Sequence, residues 1–383
     1  MSNSASCHYC GSSRIVEIVD FSGLHRVTSD CKPWRSGGRL GWCQDCGFPQ
    51  TIIDDAWRAE VSLIYNNFTV YHQSNGLEQS VFDLVTGKPN LRSDYLLQKL
   101  SSELDLDSVG HLLDVGAGNG NFLKAFHRIR PNWNLSASEW DDKGLPDLKQ
   151  IPRFIQLYTG EFKHIGDTFD LLSLIHTLEH LPQPLATLCT LRGLIKPDGF
   201  IFIQVPDCSI NPFALLVADH CSHFNLSSLR ILIEAAGFEV ITANNQWIPK
   251  EISLLARPKT HQTRLHLPQE QSQYLIHHVN WIKLIVHQAK QVAASRSLGI
   301  FGTSVAATWL WSELISQVKF FVDEDPSRLG RTHCGLPILT PAQVDQDAAV
   351  YLCLAPKVAE TVQARLSSQI PHIIMPPSFS NGY

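Results

Sequence analysis

The sequence predicts an α/β protein in which two doubly wound units follow a small cysteine-containing module. Three observations predict this architecture. Short apolar strands alternate with helices from residue 111, the same alternation returns at residue 298, and four of the ten cysteines form two close pairs within the first 50 residues. We therefore divide the 383 residues into an N-terminal module, a central α/β domain, a helical linker and a smaller α/β domain, at residues 1–60, 61–258, 259–297 and 298–383.

The central domain is predicted from compact apolar runs that end at a glycine or an acidic residue. Upstream of them the chain is more polar, and Tyr65, Phe68 and Tyr71 are expected in a loop or at a helix entry. The predicted elements are a helix near 95–100, a strand over 111–115, a helix over 121–129, strands over 135–138, 169–175 and 199–205, and a helix over 229–236. This rhythm is typical of a doubly wound sheet.

The second α/β unit follows a stretch with helical spacing of apolar residues, which predicts a long connecting helix within 268–297. A strand is expected over 298–301, followed by a turn at Gly302-Thr303-Ser304. The remaining predicted elements are a helix over 305–315 and strands over 319–323 and 350–354. We expect a smaller domain with the same layout as the central one.

The composition argues against a membrane-spanning protein and against a general nucleic-acid-binding protein. Hydrophobic residues make up 44% of the chain, yet no apolar run reaches the roughly 18–20 residues of a membrane span. The net charge of −5 shows no overall excess of basic residues for binding nucleic acid, which leaves only local basic patches open. The first residues lack the basic and apolar regions of a secretory signal, so we expect a cytoplasmic protein with reduced cysteines.

Cys7, Cys10, Cys43 and Cys46 form two Cys-x-x-Cys pairs. Each pair can present two thiolates to one metal ion, and four thiolates complete a tetrahedral Zn²⁺ site. Such a site leaves no position for water, so the zinc is expected to be structural and to stabilise a module too small for its own core. The alternatives are a redox-active dithiol and two coincidental pairs.

A glycine-rich turn follows the first strand of the central domain. Asp114 stands at the strand end, and Gly116, Gly118 and Gly120 lead into the next helix. Glycines let the backbone turn sharply and lie against a cofactor. A dinucleotide site has a similar outline, but a carboxylate at the strand end would repel a pyrophosphate. Glu139, at the end of the next strand, could accept both hydroxyls of a ribose. A turn that binds no ligand is the remaining alternative.

This acid–glycine–acid pattern resembles the class I S-adenosylmethionine (SAM)-dependent methyltransferases. Three later segments, at 170–180, 196–206 and 222–239, resemble further motifs of that family, and together the resemblance covers about residues 95–255. It implies a Rossmann-like core that binds SAM. The implied cofactor-binding residues are Asp114, Gly116, Ala117, Gly118, Gly120, Glu139, Trp140 and His176, with a structural role as the alternative for His176.

The order of the parts along the chain resembles one particular group of methyltransferases. A four-cysteine zinc-binding module, a tyrosine-containing lead-in, a SAM core and a second Rossmann-like domain occur together in the three-part sugar C-methyltransferases, which act on nucleotide-linked ketosugars in natural-product and surface-polysaccharide pathways. The resemblance implies C-methylation of such a small-molecule substrate, with a histidine removing the proton next to the ketone. O- or N-methylation of a sugar, glycan or small metabolite and a non-enzymatic zinc and nucleotide-binding module remain alternatives.

The resemblance also implies candidate catalytic residues. Alignment on Phe224 places His220 on the family's base histidine and Asp219 on its glutamate, while His223 replaces a tyrosine. Ala218 stands where the family has an aromatic residue or histidine, and these two departures leave O- or N-methylation open. His220 and His223 could instead be a surface pair or, with Asp219, a metal site.

Two further residues complete the predicted catalytic set. His180, after Glu179, matches a family histidine at the boundary between SAM and substrate, and Tyr71 or its neighbour His72 matches the lead-in tyrosine. His180 could instead cap a helix, and Tyr71 could be a packing residue.

The acidic residues at 323–325 end a strand of the C-terminal unit and could suggest a second nucleotide site. The turn at 299–302 lacks the full dinucleotide fingerprint, so we favour a substrate-holding or interface role for this domain.

Overall fold

The structure is a computed structural model that describes residues 6–68, 78, 80–82, 89–259 and 274–379. Tyr71 and His72, from the predicted lead-in, lie outside the described residues. Within the described part of the chain, none of the helices combines the length and apolar character needed to cross a bilayer.

The N-terminal module is built from short antiparallel strands and one helix. Strands β1, β4 and β5 form a three-stranded sheet, and β2 pairs with β3. The helix α1 begins after Asp54, whose carboxylate accepts the backbone N–H of Trp57 at 2.8 Å, as expected of a helix cap. The elements are β1 Ile15–Glu17, β2 Arg26–Val27, β3 Pro33–Trp34, β4 Leu40–Cys43, β5 Pro49–Thr51 and α1 Asp55–Asn66.

The central domain is a seven-stranded sheet in the order β10-β9-β8-β11-β12-β14-β13, with β14 antiparallel to both of its neighbours. Its inner strands are almost wholly buried, which agrees with their continuous apolar sequence. The strands are β8 His111–Val115, β9 Asn134–Glu139, β10 Phe154–Thr159, β11 Phe169–Ile175, β12 Ile195–Pro206, β13 Phe238–Asn244 and β14 Glu251–Pro258.

Helices and one short strand pair accompany this sheet. A two-stranded pair, β6 Ser80–Phe82 and β7 Pro89–Leu91, precedes it. The helix α6 begins with a capping box in which Asn225 and Ser228 exchange side-chain and backbone hydrogen bonds. The helices are α2 Arg92–Glu103, α3 Asn121–Ile129, α4 Leu145–Leu148, α5 Pro184–Arg192 and α6 Leu226–Ala235.

The C-terminal domain is a six-stranded sheet in the order β17-β18-β16-β15-β19-β20, parallel except for β17. The strands are β15 Leu298–Phe301, β16 Val318–Val322, β17 Thr332–His333, β18 Leu336–Leu339, β19 Ala349–Tyr351 and β20 His372–Ile374. The helices are α7 Tyr274–Ala293, α8 Val305–Leu314 and α9 Pro356–Leu366. The predicted Rossmann-like layout of this domain agrees with the observed strand order.

Each α/β sheet has a point where its strand order reverses, between β8 and β11 in the central domain and between β15 and β19 in the C-terminal domain. Ligands of doubly wound sheets bind at such points, beyond the carboxyl ends of the strands. Residues that follow all four of these strands line one shared cavity. The fold therefore directs both sheets towards a common site.

The N-terminal module packs into both α/β domains. Cys43 and Phe48 belong to a buried cluster with Phe224 of the central domain. Val27 belongs to a second cluster with Trp309 of the C-terminal domain. The module is therefore part of the walls between the domains.

Most predicted elements of the central domain are present, and 111–115, 121–129 and 169–175 have the predicted bounds. Tyr65 was expected in a loop or at a helix entry, but it lies in the last turn of α1. The helix expected as a linker is present as α7, but Leu275 and Ile282 are buried in one cluster with Leu298 and Trp309. That burial makes α7 part of the C-terminal core.

Candidate active site

A cavity of about 1790 Å³ lies where the N-terminal module and the two α/β domains meet. Its lining includes Tyr65 from α1, Asp114 and His176 from the central sheet edge, and Ser304 and Leu354 from the C-terminal domain. Pockets for one small ligand commonly measure about 300–1000 Å³. The cavity has room for a cofactor and a second molecule.

The glycine-rich turn forms one wall of this cavity. Gly116, Gly118 and Gly120 all have positive φ, of 77°, 57° and 75°. A Cβ atom on Gly116 would lie 2.2 Å from Oγ1 of Thr177, so no larger residue fits there. The Thr177 hydroxyl donates to the carbonyl of Val115 at 2.8 Å, which ties the turn to the end of β11. The glycines have the left-handed backbone conformation that a sharp turn requires, and this turn lines the cavity.

Glu139 ends β9 beside the turn. Its carboxylate accepts hydrogen bonds from the backbone N–H of Gly118 and, at 3.3 Å, from that of Trp140. Burial raises the pKa of Glu139 above its usual value. The carboxylate therefore lies within reach of a ligand held on the turn, where it can accept hydroxyl groups.

Asp114 lies at the base of the same wall and is 2% exposed. The Ser173 hydroxyl donates to its Oδ1 at 2.7 Å. Burial raises the pKa of Asp114 to about 7, while the Ser173 hydrogen bond acts in the opposite direction. A cationic ligand group would offset the cost of burying this carboxylate.

His180 is held by groups on two sides. Its Nδ1 donates to the backbone carbonyl of Asp219 at 3.1 Å and lies 3.3 Å from the hydroxyl of Tyr65. The Asp219 carboxylate is itself fixed by Ser29, which donates from its backbone N–H at 2.9 Å and from its hydroxyl at 2.5 Å. With Nδ1 carrying the proton, Nε2 is the nitrogen that can accept a hydrogen bond.

His220 lines the cavity beside His180, with ring centroids 4.7 Å apart and planes at 88°. Burial, followed by the nearby imidazoles of His180, His223 and His176, holds the pKa of His220 well below its usual value. A neutral imidazole has one nitrogen that can accept a proton. His220 therefore presents an unprotonated imidazole at the cavity wall.

His176 follows β11 and has the left-handed φ of 52°. Its Nδ1 lies 3.1 Å from Glu179 Oε1 and its Nε2 lies 3.2 Å from Glu251 Oε1. Burial lowers the pKa of His176, but the contributions of Glu251 and Glu179 outweigh it and the pKa is raised. Because both nitrogens face acceptor-only carboxylates, His176 is positioned as an imidazolium that joins the ends of β11 and β14.

His223, a predicted catalytic residue, lies away from the cavity that His220 lines. It is 2% exposed, and its Nε2 lies 3.2 Å from Oγ1 of Thr51 in β5. The Thr51 hydroxyl in turn donates to the carbonyl of His220 at 2.8 Å. Burial lowers the pKa of His223 to about 3. The ring packs towards the N-terminal sheet, so its position supports a structural role.

The remaining predicted site residues are two that line the cavity and one that lies outside the described residues. Ala117 and Trp140 line the cavity, and the Trp140 side chain is 83% exposed. The aromatic residue beside His180 is Tyr65, whose ring centroid lies 6.4 Å from that of His180. The sequence named Tyr65 only as part of the lead-in, although Asp54 provides a helix-start signal upstream of it. Tyr71 lies outside the described residues.

The four N-terminal cysteines converge on one point. The sulfur atoms of Cys7, Cys10, Cys43 and Cys46 all lie within 4.8 Å of one another. Cys7 Sγ is 3.4 Å from Cys46 Sγ, and Cys10 Sγ is 3.6 Å from Cys43 Sγ. Thiolates about 2.3 Å from a tetrahedral zinc ion stand roughly 3.8 Å apart, so the donor set fits that metal.

The segment that forms the glycine-rich turn and most of the central sheet matches a known class of domain in sequence. Residues 91–243 match the family model described as "Methyltransferase domain". This part of the chain therefore matches a methyltransferase domain in sequence, and its sheet has the α/β Rossmann-like layout that the sequence predicts.

Relatives of the chain include methyltransferases of two kinds. The Ubiquinone biosynthesis O-methyltransferase of Actinobacillus pleuropneumoniae serotype 7 (strain AP76) is 26% identical over 140 residues, which are 33% of this chain and 57% of that protein. The C-methyltransferase NovU of Streptomyces niveus is 27% identical over 144 residues, which are 34% of this chain and 33% of NovU. Thus the chain spans about half or less of the length of these relatives.

Similarity to solved structures is weak. An S-adenosylmethionine-dependent methyltransferase from Clostridium acetobutylicum ATCC 824 is 10% identical, with a TM-score of 0.37, over 54% of this chain and 100% of that one.

Proposed function

We propose that the chain transfers the methyl group of SAM to a carbon atom of a nucleotide-linked ketosugar. The observation that carries this proposal is the pair of His180 and His220 in the cavity beside the glycine-rich turn. An unprotonated histidine nitrogen beside the glycine-rich turn would supply a proton acceptor for the carbon next to a ketone. The similarity of the chain to the C-methyltransferase NovU supports the same reading.

The turn and the two acids around it would hold SAM. Gly116 and Gly118 would let the backbone lie against the cofactor, Glu139 would accept the ribose hydroxyls, and Asp114 would face the cationic amino acid end. Trp140 and His176 line the same wall and are proposed to contact the cofactor. When bound, SAM supplies an electrophilic methyl group, so the chain itself must orient the acceptor and move a proton.

The histidine pair would carry out the proton transfer. His220 would accept the proton from the carbon next to the ketone, which would leave the electron pair on that carbon as the nucleophile for an electrophilic methyl group. His180, fixed through Asp219 and close to Tyr65, would hold the acceptor through its Nε2. The low pKa of His220 keeps the base unprotonated at neutral pH.

The acceptor is proposed to extend from the histidines to the C-terminal domain. Ser304 and Ala306 follow β15, and Leu354 and Ala355 follow β19, and all four line the cavity. A small metabolite would not need this second sheet edge, whereas a sugar joined to a nucleotide is long enough to use it.

O-methylation is the second candidate. The O-methyltransferase of Actinobacillus pleuropneumoniae named above resembles the same part of the chain. A neutral His220 could equally deprotonate a hydroxyl group. The cofactor wall would be used in the same way.

We also propose that the four cysteines bind one structural Zn²⁺. Support comes from their sulfur separations and from the burial of Cys7, Cys43 and Cys46 in a cluster with central-domain residues such as Phe224. Four thiolates leave no open coordination position, which favours a structural over a catalytic metal.

Product analysis separates the candidates. The full chain is incubated with methyl-labelled SAM and a nucleotide-linked ketosugar deuterated at the carbon next to the ketone. Label on a carbon atom with loss of deuterium supports C-methylation, and label on oxygen with deuterium retained supports O-methylation. Absence of labelled product despite SAM binding would contradict activity on this class of acceptor.

A further inference from the structure

Lys250 lines the cavity and has a left-handed backbone conformation, which residues other than glycine rarely adopt. Its φ is 73°. Six non-glycine residues of the described chain have positive φ, and three of them, Cys31, His176 and Lys250, line the cavity. Strained backbone of this kind is concentrated at ligand sites, where the surrounding fold maintains it.

The fold fixes the backbone of Lys250. Its carbonyl accepts the N–H of Asp207 at 2.9 Å. The next residue, Glu251, begins β14 and pairs in register with Pro206 at the end of β12. Lys250 therefore stands at the sheet edge where the cavity opens, one residue from the network around His176.

The ammonium group of Lys250 forms no ion pair with any described residue. The neighbouring carboxylate of Glu251 is already occupied, by Arg92 at 2.5 Å and by His176 at 3.2 Å. Cys31 and Arg92 are the other titratable groups near it. Burial is the main cause that lowers the pKa of Lys250 below its ordinary value.

Other basic residues on the cavity wall differ from Lys250. Lys143 pairs with Asp141 at 2.7 Å, and Lys163 pairs with Glu161. Arg58 forms no described ion pair but is exposed to solvent. Lys250 thus combines partial burial with an ammonium group that has no carboxylate partner among the described residues, so an anionic ligand in the cavity would gain a charge-assisted contact there.

We propose that Lys250 binds a phosphate group of the methyl acceptor and so selects acceptors that carry one. This inference rests on the proposed function, because it places the acceptor in the same cavity as the cofactor. A partly desolvated ammonium forms strong charge-assisted hydrogen bonds with phosphate oxygens. The acceptor would be anchored there while its reacting carbon lies at the histidine pair.

The test uses two probes on the full chain loaded with S-adenosylhomocysteine. Inorganic pyrophosphate reports the anion site alone, and thymidine diphosphate reports the same chemistry on a nucleotide. Binding of each is measured by calorimetry, with malonate as a carboxylate control. The wild type should bind both phosphate probes and should bind malonate at least about tenfold more weakly.

Two variants separate a ligand role from a structural one. Lys250→Gly relieves the strained φ, so it should keep or raise the unfolding temperature while weakening pyrophosphate binding at least about tenfold. Lys250→Arg should retain binding within a few-fold. Lys283→Met is the matched control, because it removes an exposed lysine that pairs with Asp20 and does not line the cavity. It should leave the binding of both probes unchanged.

Each outcome is decisive. Equal pyrophosphate binding by wild type and Lys250→Gly would overturn the proposal, as would lysine-dependent binding of malonate in preference to both phosphate probes. A wild type that binds S-adenosylhomocysteine but neither phosphate probe would also overturn it while leaving the cofactor site intact. Failure to bind S-adenosylhomocysteine would instead overturn the proposed function.

Discussion

The rings of His180 and His220 meet edge to face, with centroids 4.7 Å apart, on the wall of the cavity shared by all three parts of the chain. They come from different places, since His180 follows β11 and His220 precedes α6. Their environments also differ. His180 donates from Nδ1 to a carbonyl, whereas His220 has a strongly lowered pKa. This contrast suggests separate tasks, with His180 holding the acceptor and His220 taking its proton.

Replacement of His220 tests this division. His220→Ala should reduce kcat by roughly 100-fold or more, the usual effect of losing a general base, and should leave S-adenosylhomocysteine affinity within about twofold. Rates of methyl transfer and calorimetric binding measure the two quantities.

The matched variant is His223→Asn, which keeps a side chain able to bond Thr51 but lies away from the cavity. It should retain turnover within a few-fold even if the unfolding temperature falls. Equal loss of kcat in both variants would place the base outside the histidine pair.

The pKa of Asp114, raised to about 7 by burial, predicts pH-dependent cofactor binding. The group is a carboxylate above pH 7 and a neutral acid below it, and the amino group of S-adenosylhomocysteine stays cationic throughout. Affinity should therefore fall roughly tenfold between pH 8 and pH 6, with proton release on binding at the lower pH. Glu139, whose pKa is also raised, would change affinity in the same direction.

Calorimetry across this pH range, in two buffers of different ionisation enthalpy, measures both effects. Asp114→Asn should bind more weakly at pH 8 and lose most of the pH dependence. An undiminished slope in that variant would assign the titration to another group.

The cysteine cluster predicts a stability effect. Cys43 is fully buried and shares a cluster with Phe48 and Phe224, so loss of the metal should loosen the central domain as well as the N-terminal module. Cys43→Ser should lower the unfolding temperature by several degrees or more and reduce the zinc content from about one per chain. Elemental analysis and thermal unfolding measure this.

Cys189→Ser is the control, because Cys189 is exposed on α5. It should keep both the zinc content and the unfolding temperature. A zinc-free wild type of unchanged stability would contradict a structural metal.

The sequence predicts local features well because they depend on neighbouring residues. The buried strands at 111–115 and 169–175 are short apolar runs, and the glycines at 116, 118 and 120 have the positive φ that the turn requires. Asp114 in β8 and Glu139 at the end of β9 both line the cavity beside this turn, because parallel strands end at one sheet edge.

Features that depend on packing between domains could not be predicted in the same way. His220 and His223 are three residues apart, yet one faces the cavity and the other faces Thr51 of the N-terminal module. Tyr65 and Lys250 were likewise missed as site residues, because a helix end and a strand start carry no local signal of the cavity they line.

The most direct test of the central claim is calorimetric titration of S-adenosylhomocysteine into the wild type and into Glu139→Ala. The wild type should bind one S-adenosylhomocysteine molecule per chain. In the variant, affinity should be roughly ten- to a hundredfold weaker, because a charged acceptor of two ribose hydroxyls is lost. Absence of binding by the folded wild type, or equal affinity in the two proteins, would contradict a cofactor site built from the glycine-rich turn and Glu139.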